Sequence, residues 1–170
     1  MKYMIISDIH GGIDELNKVL DIYYNENFNK LIILGDLFNY GIDLNRKEII
    51  NRLNLFRESI IYVRGNCDNN IEDLLFEAPF IKEIEINKRK ILLTHGHLYS
   101  NEYLLGSNYD IIICGHTHVP EIRVEKSKLF LNPGSISKSR KGENSFMIIF
   151  NNNIYLKNLD NKILKQKNIQ

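Results

Sequence analysis

Five histidines occur in this chain, and all of them fall in short polar groups: Asp8-Ile9-His10, His95-Gly96-His97 and Gly115-His116-Thr117-His118. Two similar groups carry no histidine, Gly35-Asp36 and Gly65-Asn66-Cys67-Asp68. Each has an ordinary structural reading on its own. An Asp after a strand caps a helix, Gly-Asp is a common turn, and Asn in a loop adopts left-handed backbone readily. Asn is also abundant, 22 of 170 residues, which lowers the weight of Asn66 by itself. Joint occurrence carries more. Asp, His and Asn are nitrogen and oxygen donors to divalent metal ions, and no expected helix, hairpin or tail contains a histidine.

Short apolar runs rich in isoleucine deliver these groups. They are Lys2–Ser7, Lys30–Leu34, Ser59–Val63, Lys90–Thr94 and Asp110–Cys114, each stopping at one polar group. Runs that are apolar throughout read as strands buried on both faces. Leu16, Val19, Leu20 and Tyr23 predict a helix over 12–23, and Ile49, Ile50, Leu53 and Phe56 predict another over 46–56. Strand, helix, strand, helix, strand makes two right-handed crossovers, so the first three strands should be parallel. Intervals of 28, 30, 29 and 21 residues separate Asp8, Asp36, Asn66, His95 and His116. That spacing returns the chain each time to the same end of one sheet, where α/β folds bind ligands. Further on, Asn87-Lys88-Arg89, Ser127-Lys128 and Asn151-Asn152-Asn153 are expected to join antiparallel hairpins. The fold class is therefore α/β, becoming antiparallel toward the C-terminus, with two mixed sheets packed as a sandwich and helices outside. The polar stretch from Asp160 to Gln170 reads as a solvated final strand.

A length of 170 residues fits one domain, 1–170. A formal net charge of +1 gives no case for a general nucleic-acid or membrane-surface binder, and no Arg cluster or aromatic platform is evident. An acid follows the first apolar positions at Asp8, so no signal peptide or membrane span is expected, and the location read from this is cytoplasmic. Cys67 and Cys114 read as isolated reduced thiols. Near-neutral charge and C-terminal edge strands leave room for a homodimer.

Together with Asn132-Pro133-Gly134-Ser135, these blocks resemble the calcineurin-like metallophosphoesterases, in particular the small YfcE-type phosphodiesterases. The resemblance spans nearly the whole chain. It implies a four-layer αββα sandwich and two divalent metal ions, with Mn²⁺ the first choice and Fe²⁺, Zn²⁺ or Ni²⁺ as substitutes. By motif position, Asp8, His10 and His118 match ligands of one ion, Asn66, His95 and His116 those of the other, and Asp36 bridges both. The implied activity is hydrolysis of a small phosphodiester by a metal-bridging hydroxide. Two divalent ions, two carboxylates and one hydroxide leave such a site at about +1, which attracts an anionic ester.

Departures from the family pattern narrow the reading. Cys67 stands where many two-metal phosphatases carry His, as it does in the small phosphodiesterases, and leaves protonation of the leaving group unassigned. His97 is the candidate to contact phosphate or leaving group, with orientation of a metal ligand as the competing role. Tyr40, in Asn39-Tyr40-Gly41, replaces a frequent His. Asp68 and Arg64 read as supporting residues, and Asn132–Ser135 as shaping the surroundings of the site. The alternatives are a phosphomonoesterase and a non-catalytic scaffold on the same fold, like the retromer subunit that resembles these enzymes.

Overall fold

The apolar runs become strands that end where the polar groups begin. In the computed structural model, which describes residues 1–40, 44–69, 71 and 74–169, these are β1 (Tyr3–Ile6), β2 (Lys30–Ile33) and β3 (Ile60–Tyr62). They pair in parallel, with Ile5 opposite Ile32 and Ile32 opposite Ile61. The first crossover is α1 (Ile13–Asn25), which buries the expected stripe of Leu16, Val19, Leu20 and Tyr23. The second is α2 (Arg46–Asn54), burying Ile49, Ile50 and Leu53. It ends two residues before Phe56, where a short 3₁₀ turn at Arg57–Ser59 leads into β3.

Three hairpins supply most of the rest: β4 (Ile81–Ile86) with β5 (Arg89–Thr94), β7 (Glu121–Glu125) with β8 (Lys128–Asn132), and β9 (Ser145–Phe150) with β10 (Asn153–Asn158). Their turns are the two-residue pairs Asn87-Lys88, Lys126-Ser127 and Asn151-Asn152, one residue tighter or earlier than the sequence indicated. Every one of these six residues has positive φ. Two-residue turns of this kind match the twist of the strands they join.

A single sheet carrying all the polar groups is not what forms. With β6 (Ile111–Ile113) and β11 (Ile163–Asn168), the strands divide into a six-stranded sheet, ordered β11-β10-β9-β1-β2-β3, and a five-stranded one, ordered β4-β5-β6-β8-β7. The link from β3 to β5 contains the β4 hairpin strand rather than a crossover helix, so the chain starts a second sheet after Asn66. Both sheets are mixed, and β11 is the solvated edge strand expected. Gly41 and Gln170 lie outside the described residues.

Alternation along the strands explains the layers. Ile5, Ile32 and Leu34 of the first sheet meet Leu93, Ile111, Ile113 and Leu131 of the second in the central core. Met4, Ile6, Leu31 and Ile33 point the other way, against α1 and α2. Leu92, Ile112 and Phe130 line the outer face of the second sheet and meet Leu104 of a six-residue helix, α3 (Asn101–Gly106), too short to leave a periodic signal. Helices, sheet, sheet and helix give the αββα sandwich. Among the described residues no helix is long and apolar enough to cross a membrane.

Candidate metal centre

At the carboxyl ends of β1, β2 and β6 the backbone turns sharply. Asp8, His10, Asp36, His116 and His118 all have φ between 44° and 67°, a region uncommon for residues with a side chain and concentrated at functional sites. Close packing of these loops sets further limits. A Cβ on Gly65 would run into the carboxylate and amide of Asp36, and one on Gly115 into the hydroxyl of Ser7 with Asp8 Oδ2 only 2.9 Å away. Only glycine lets the loops come this close.

The two carboxylates are buried and divided in task. Asp8 Oδ2 accepts the backbone N–H of His116 at 3.0 Å, while Oδ1 accepts no hydrogen bond among the described residues and lies 3.2 Å from His118 Nε2 and 3.7 Å from His10 Nε2. Asp36 Oδ1 accepts the Cys67 N–H at 2.8 Å, and Oδ2 lies 3.3 Å from His95 Nε2 and 3.6 Å from His10 Nε2. Burial pushes the Asp8 carboxyl up, but His10 and His118 beside it outweigh that and hold it far below the usual carboxylate range. For Asp36 burial is likewise overcome, chiefly by His95.

Three histidines point the same ring edge at the site. Nδ1 of His10, His95 and His118 lies 3.2, 2.6 and 2.8 Å from the carbonyls of Phe38, Leu34 and Lys138. A carbonyl only accepts, so Nδ1 is the donor and Nε2 of a neutral ring carries the lone pair. His10 Nε2 and His118 Nε2 then face each other at 3.1 Å, and His95 Nε2 faces Asn66 Oδ1 at 3.0 Å. Lone pairs at such distances repel unless a cation or proton lies between them. The orphaned Asp8 Oδ1 in the same place makes this donor set a fit for metal ions, and the carbonyl-tied Nδ1–H is the usual arrangement of a ligating histidine. Asp8, His10 and His118, as well as Asp8, Asp36 and His95, form groups whose donor atoms lie within 4.8 Å of one another.

His116 stands apart from those groups. Its ring packs 5.1 Å from that of His95 and lines the cavity. His97 does not line the cavity; its ring lies 5.3 Å from His95 and 6.1 Å from His116, and its buried Nδ1 has no hydrogen-bond partner among the described residues. Burial, then His95 and His116, hold the His97 imidazole neutral; burial and then His95 do the same for His116.

Cys67 is a correction. Rather than an isolated loop thiol, it is buried at the site with Sγ among the donor atoms of His10 and Asp36. Burial and then Asp36 push its thiol up to about 12, so it stays protonated. Cys114 is isolated as expected. Tyr40 Oη accepts the Asn66 Nδ2–H at 2.5 Å, which turns Oδ1 of that amide toward His95.

Asp68 supports the site from behind. Its buried carboxylate accepts the N–H groups of Asp36, Leu37 and Gly65 at 2.7 to 2.8 Å and the hydroxyl of Tyr62, tying the β2 loop to the β3 loop. Asn132 holds Gly115 and Thr117, and Ser135 donates to the Asp8 carbonyl at 2.6 Å. Arg64 lies over the Phe80 ring. A cavity of about 310 Å³ opens above His10, Asp36, Asn66 and His118, and its wall includes Lys138 and Arg140, which sequence patterning did not single out. Their alternate spacing just after the Asn132–Ser135 block was the available signal.

The calcineurin-like phosphoesterase superfamily domain matches residues 1–153. The chain belongs to this superfamily. It is 35% identical over 153 residues to phosphodiesterase YfcE of Escherichia coli K12, covering 84% of this chain and 83% of that one. It is 33% identical to the probable metallophosphoesterase YsnB of Bacillus subtilis, covering 82% and 78%. The solved structure of YfcE from E. coli superposes with a TM-score of 0.91 at 32% identity over 100% of both chains. Vps29 from Entamoeba histolytica, solved with Zn²⁺, matches with a TM-score of 0.69 at 26% identity over 99% and 98%. This phosphoesterase is thus a metal-dependent YfcE homologue.

Proposed function

We propose that this phosphoesterase is a dinuclear metal-dependent phosphodiesterase. Asp8, His10 and His118 would hold one divalent ion, Asn66, His95 and His116 the other, and Asp36 both. The observation that carries this reading is the pair of Nε2 atoms of His10 and His118 facing each other at 3.1 Å with both Nδ1–H groups committed to carbonyls. When bound, the ions supply a hydroxide nucleophile at neutral pH and neutralise charge on the phosphoryl oxygens. Nitrogen and oxygen donors with a protonated Cys67 suit Mn²⁺.

The chain's own residues prepare the reaction. Two carboxylates against two divalent ions leave the cavity positive, which draws in the monoanionic diester. Tyr40 holds the Asn66 amide by its Nδ2–H and so fixes Oδ1. Neutral His97, packed against the His95 and His116 rings and off the cavity lining, orients those rings rather than touching the leaving group. Similarity to Vps29 makes a scaffold the second reading; the complete donor set favours catalysis.

Hydrolysis of bis(p-nitrophenyl) phosphate with added Mn²⁺ tests the proposal, with p-nitrophenyl phosphate separating diester from monoester activity. Loss of the bridging carboxylate in Asp36→Asn should lower the rate by roughly a thousandfold or more, and chelation should abolish it reversibly. Activity that survives Asp36→Asn, or is absent with every divalent ion tried, contradicts it.

A further inference from the structure

The cavity is not symmetric in charge. Among the described residues, the wall on the side of Asn66 is formed by the neutral side chains of Tyr40 and Cys67, both in contact with that amide, while on the side of His118 stand Lys138 and Arg140. Both cations belong to a segment clamped to His118. The Lys138 carbonyl accepts its Nδ1–H at 2.8 Å, and the Arg140 N–H donates to its carbonyl at 3.0 Å. The Lys138 ammonium reaches across to donate to Asn39 Oδ1, and Asn39 in turn donates to the His10 carbonyl at 2.9 Å. The Arg140 guanidinium makes no hydrogen bond or ion pair among the described residues, so its five donors are available to a ligand.

A charge balance shows what these cations are for. With two divalent ions, the two carboxylates and one hydroxide, the centre carries about +1, which already matches the single charge of a phosphodiester. Lys138 and Arg140 add two more positive charges at the wall. A plain diester offers them only the non-bridging oxygens already held at the centre; an ester with a second phosphate on one arm offers a separate dianion, with which a guanidinium pairs through two parallel hydrogen bonds.

Resting on the phosphodiesterase reading, we propose that Lys138 and Arg140 determine specificity, selecting phosphodiesters whose retained arm bears a further phosphate and seating that phosphate on the His118 side of the cavity. The scissile phosphate lies over the centre, and the uncharged leaving arm points toward Tyr40.

A matched pair of substrates with one leaving group tests this: thymidine 5′-(p-nitrophenyl phosphate) with and without a 3′-phosphate. In the Mn²⁺-loaded wild type, the phosphorylated ester should have kcat/KM at least roughly tenfold higher, mainly through KM, as expected for a charge-assisted contact. Arg140→Gln and Lys138→Gln should each reduce that ratio severalfold, whereas Arg140→Lys should retain part of it. A wild-type ratio near one, or a ratio unchanged in both Gln variants, overturns the proposal. Calorimetry with thymidine 3′,5′-bisphosphate against thymidine 5′-monophosphate provides the same comparison without turnover. If neither ester is hydrolysed, the phosphodiesterase reading fails; the selectivity is then decided by calorimetry, where equal affinities in wild type, or a preference kept by Arg140→Gln, overturn it.

Discussion

The two ends of the sandwich both use backbone with positive φ, and they use it for opposite purposes. At one end, Asn87-Lys88, Lys126-Ser127 and Asn151-Asn152 turn hairpins in solvent, where Asn87 and Asn152 touch across the two sheets at 2.7 Å. At the other, Asp8, His10, Asp36, His116 and His118 adopt the same backbone in loops where Asp8, Asp36 and His118 are buried, His10 is half-buried and only His116 is exposed. In the hairpins the conformation is satisfied locally by the turn itself. At the metal-site end it is enforced from a distance, by Asp68 gripping the N–H groups of Asp36 and Leu37, Ser135 gripping the Asp8 carbonyl, and glycines that admit neighbouring loops. Strain at the site is therefore maintained by the fold, while in the turns it is a property of two residues.

The strongest way to break this contrast is Gly65→Ala. Its Cβ would displace the Asp36 carboxylate, so we expect a loss of about 1–3 kcal/mol in thermal or denaturant unfolding, together with loss of Mn²⁺ binding by calorimetry. Unchanged metal affinity would mean that the loops are not held as tightly as described. Next in size is a pH effect confined to the site. Burial opposes protonation of His95, but Asp36 overrides it and holds that imidazole above its ordinary 6.5; Asp8 does the same for His118. Protons then compete with metal, so affinity is full above the raised values and falls as pH drops through them, beginning on the alkaline side of 6.5. Metal titrations across that range should show the decline in wild type, and a flat profile would contradict it. The smallest effect belongs to the other end. Lys126→Gly relieves positive φ in the Lys126-Ser127 turn, where the hairpin itself sets the backbone, so stability should rise by no more than about 1 kcal/mol and diesterase activity should not change. A marked loss of activity would erase the distinction between the ends.

Much of this architecture was legible because local pattern and global role coincide. Isoleucine-rich runs broken by Asp or Gly-polar groups gave strand ends, Leu16, Val19, Leu20 and Tyr23 gave the face of α1, and His, Asp and Asn marked the donors. Assignment of strands to sheets was not legible, because an interval of about thirty residues fits a crossover or a change of sheet equally well. Asp68 was seen as a supporting residue, but its task depends on amides thirty residues earlier, and Lys138 and Arg140 matter only because His118 draws their segment to the cavity. Cys67 shows the same limit in part: its block marked a position at the site, but the closeness of its Sγ to His10 and Asp36 arises only where the β2 and β3 loops meet.

Crystals grown with Mn²⁺ and measured at its absorption edge test the central claim most directly. The account predicts two anomalous peaks within about 4 Å of each other, flanking Asp36, one against Asp8, His10 and His118 and the other against Asn66, His95 and His116. A single peak, or peaks away from Asp36, would contradict it.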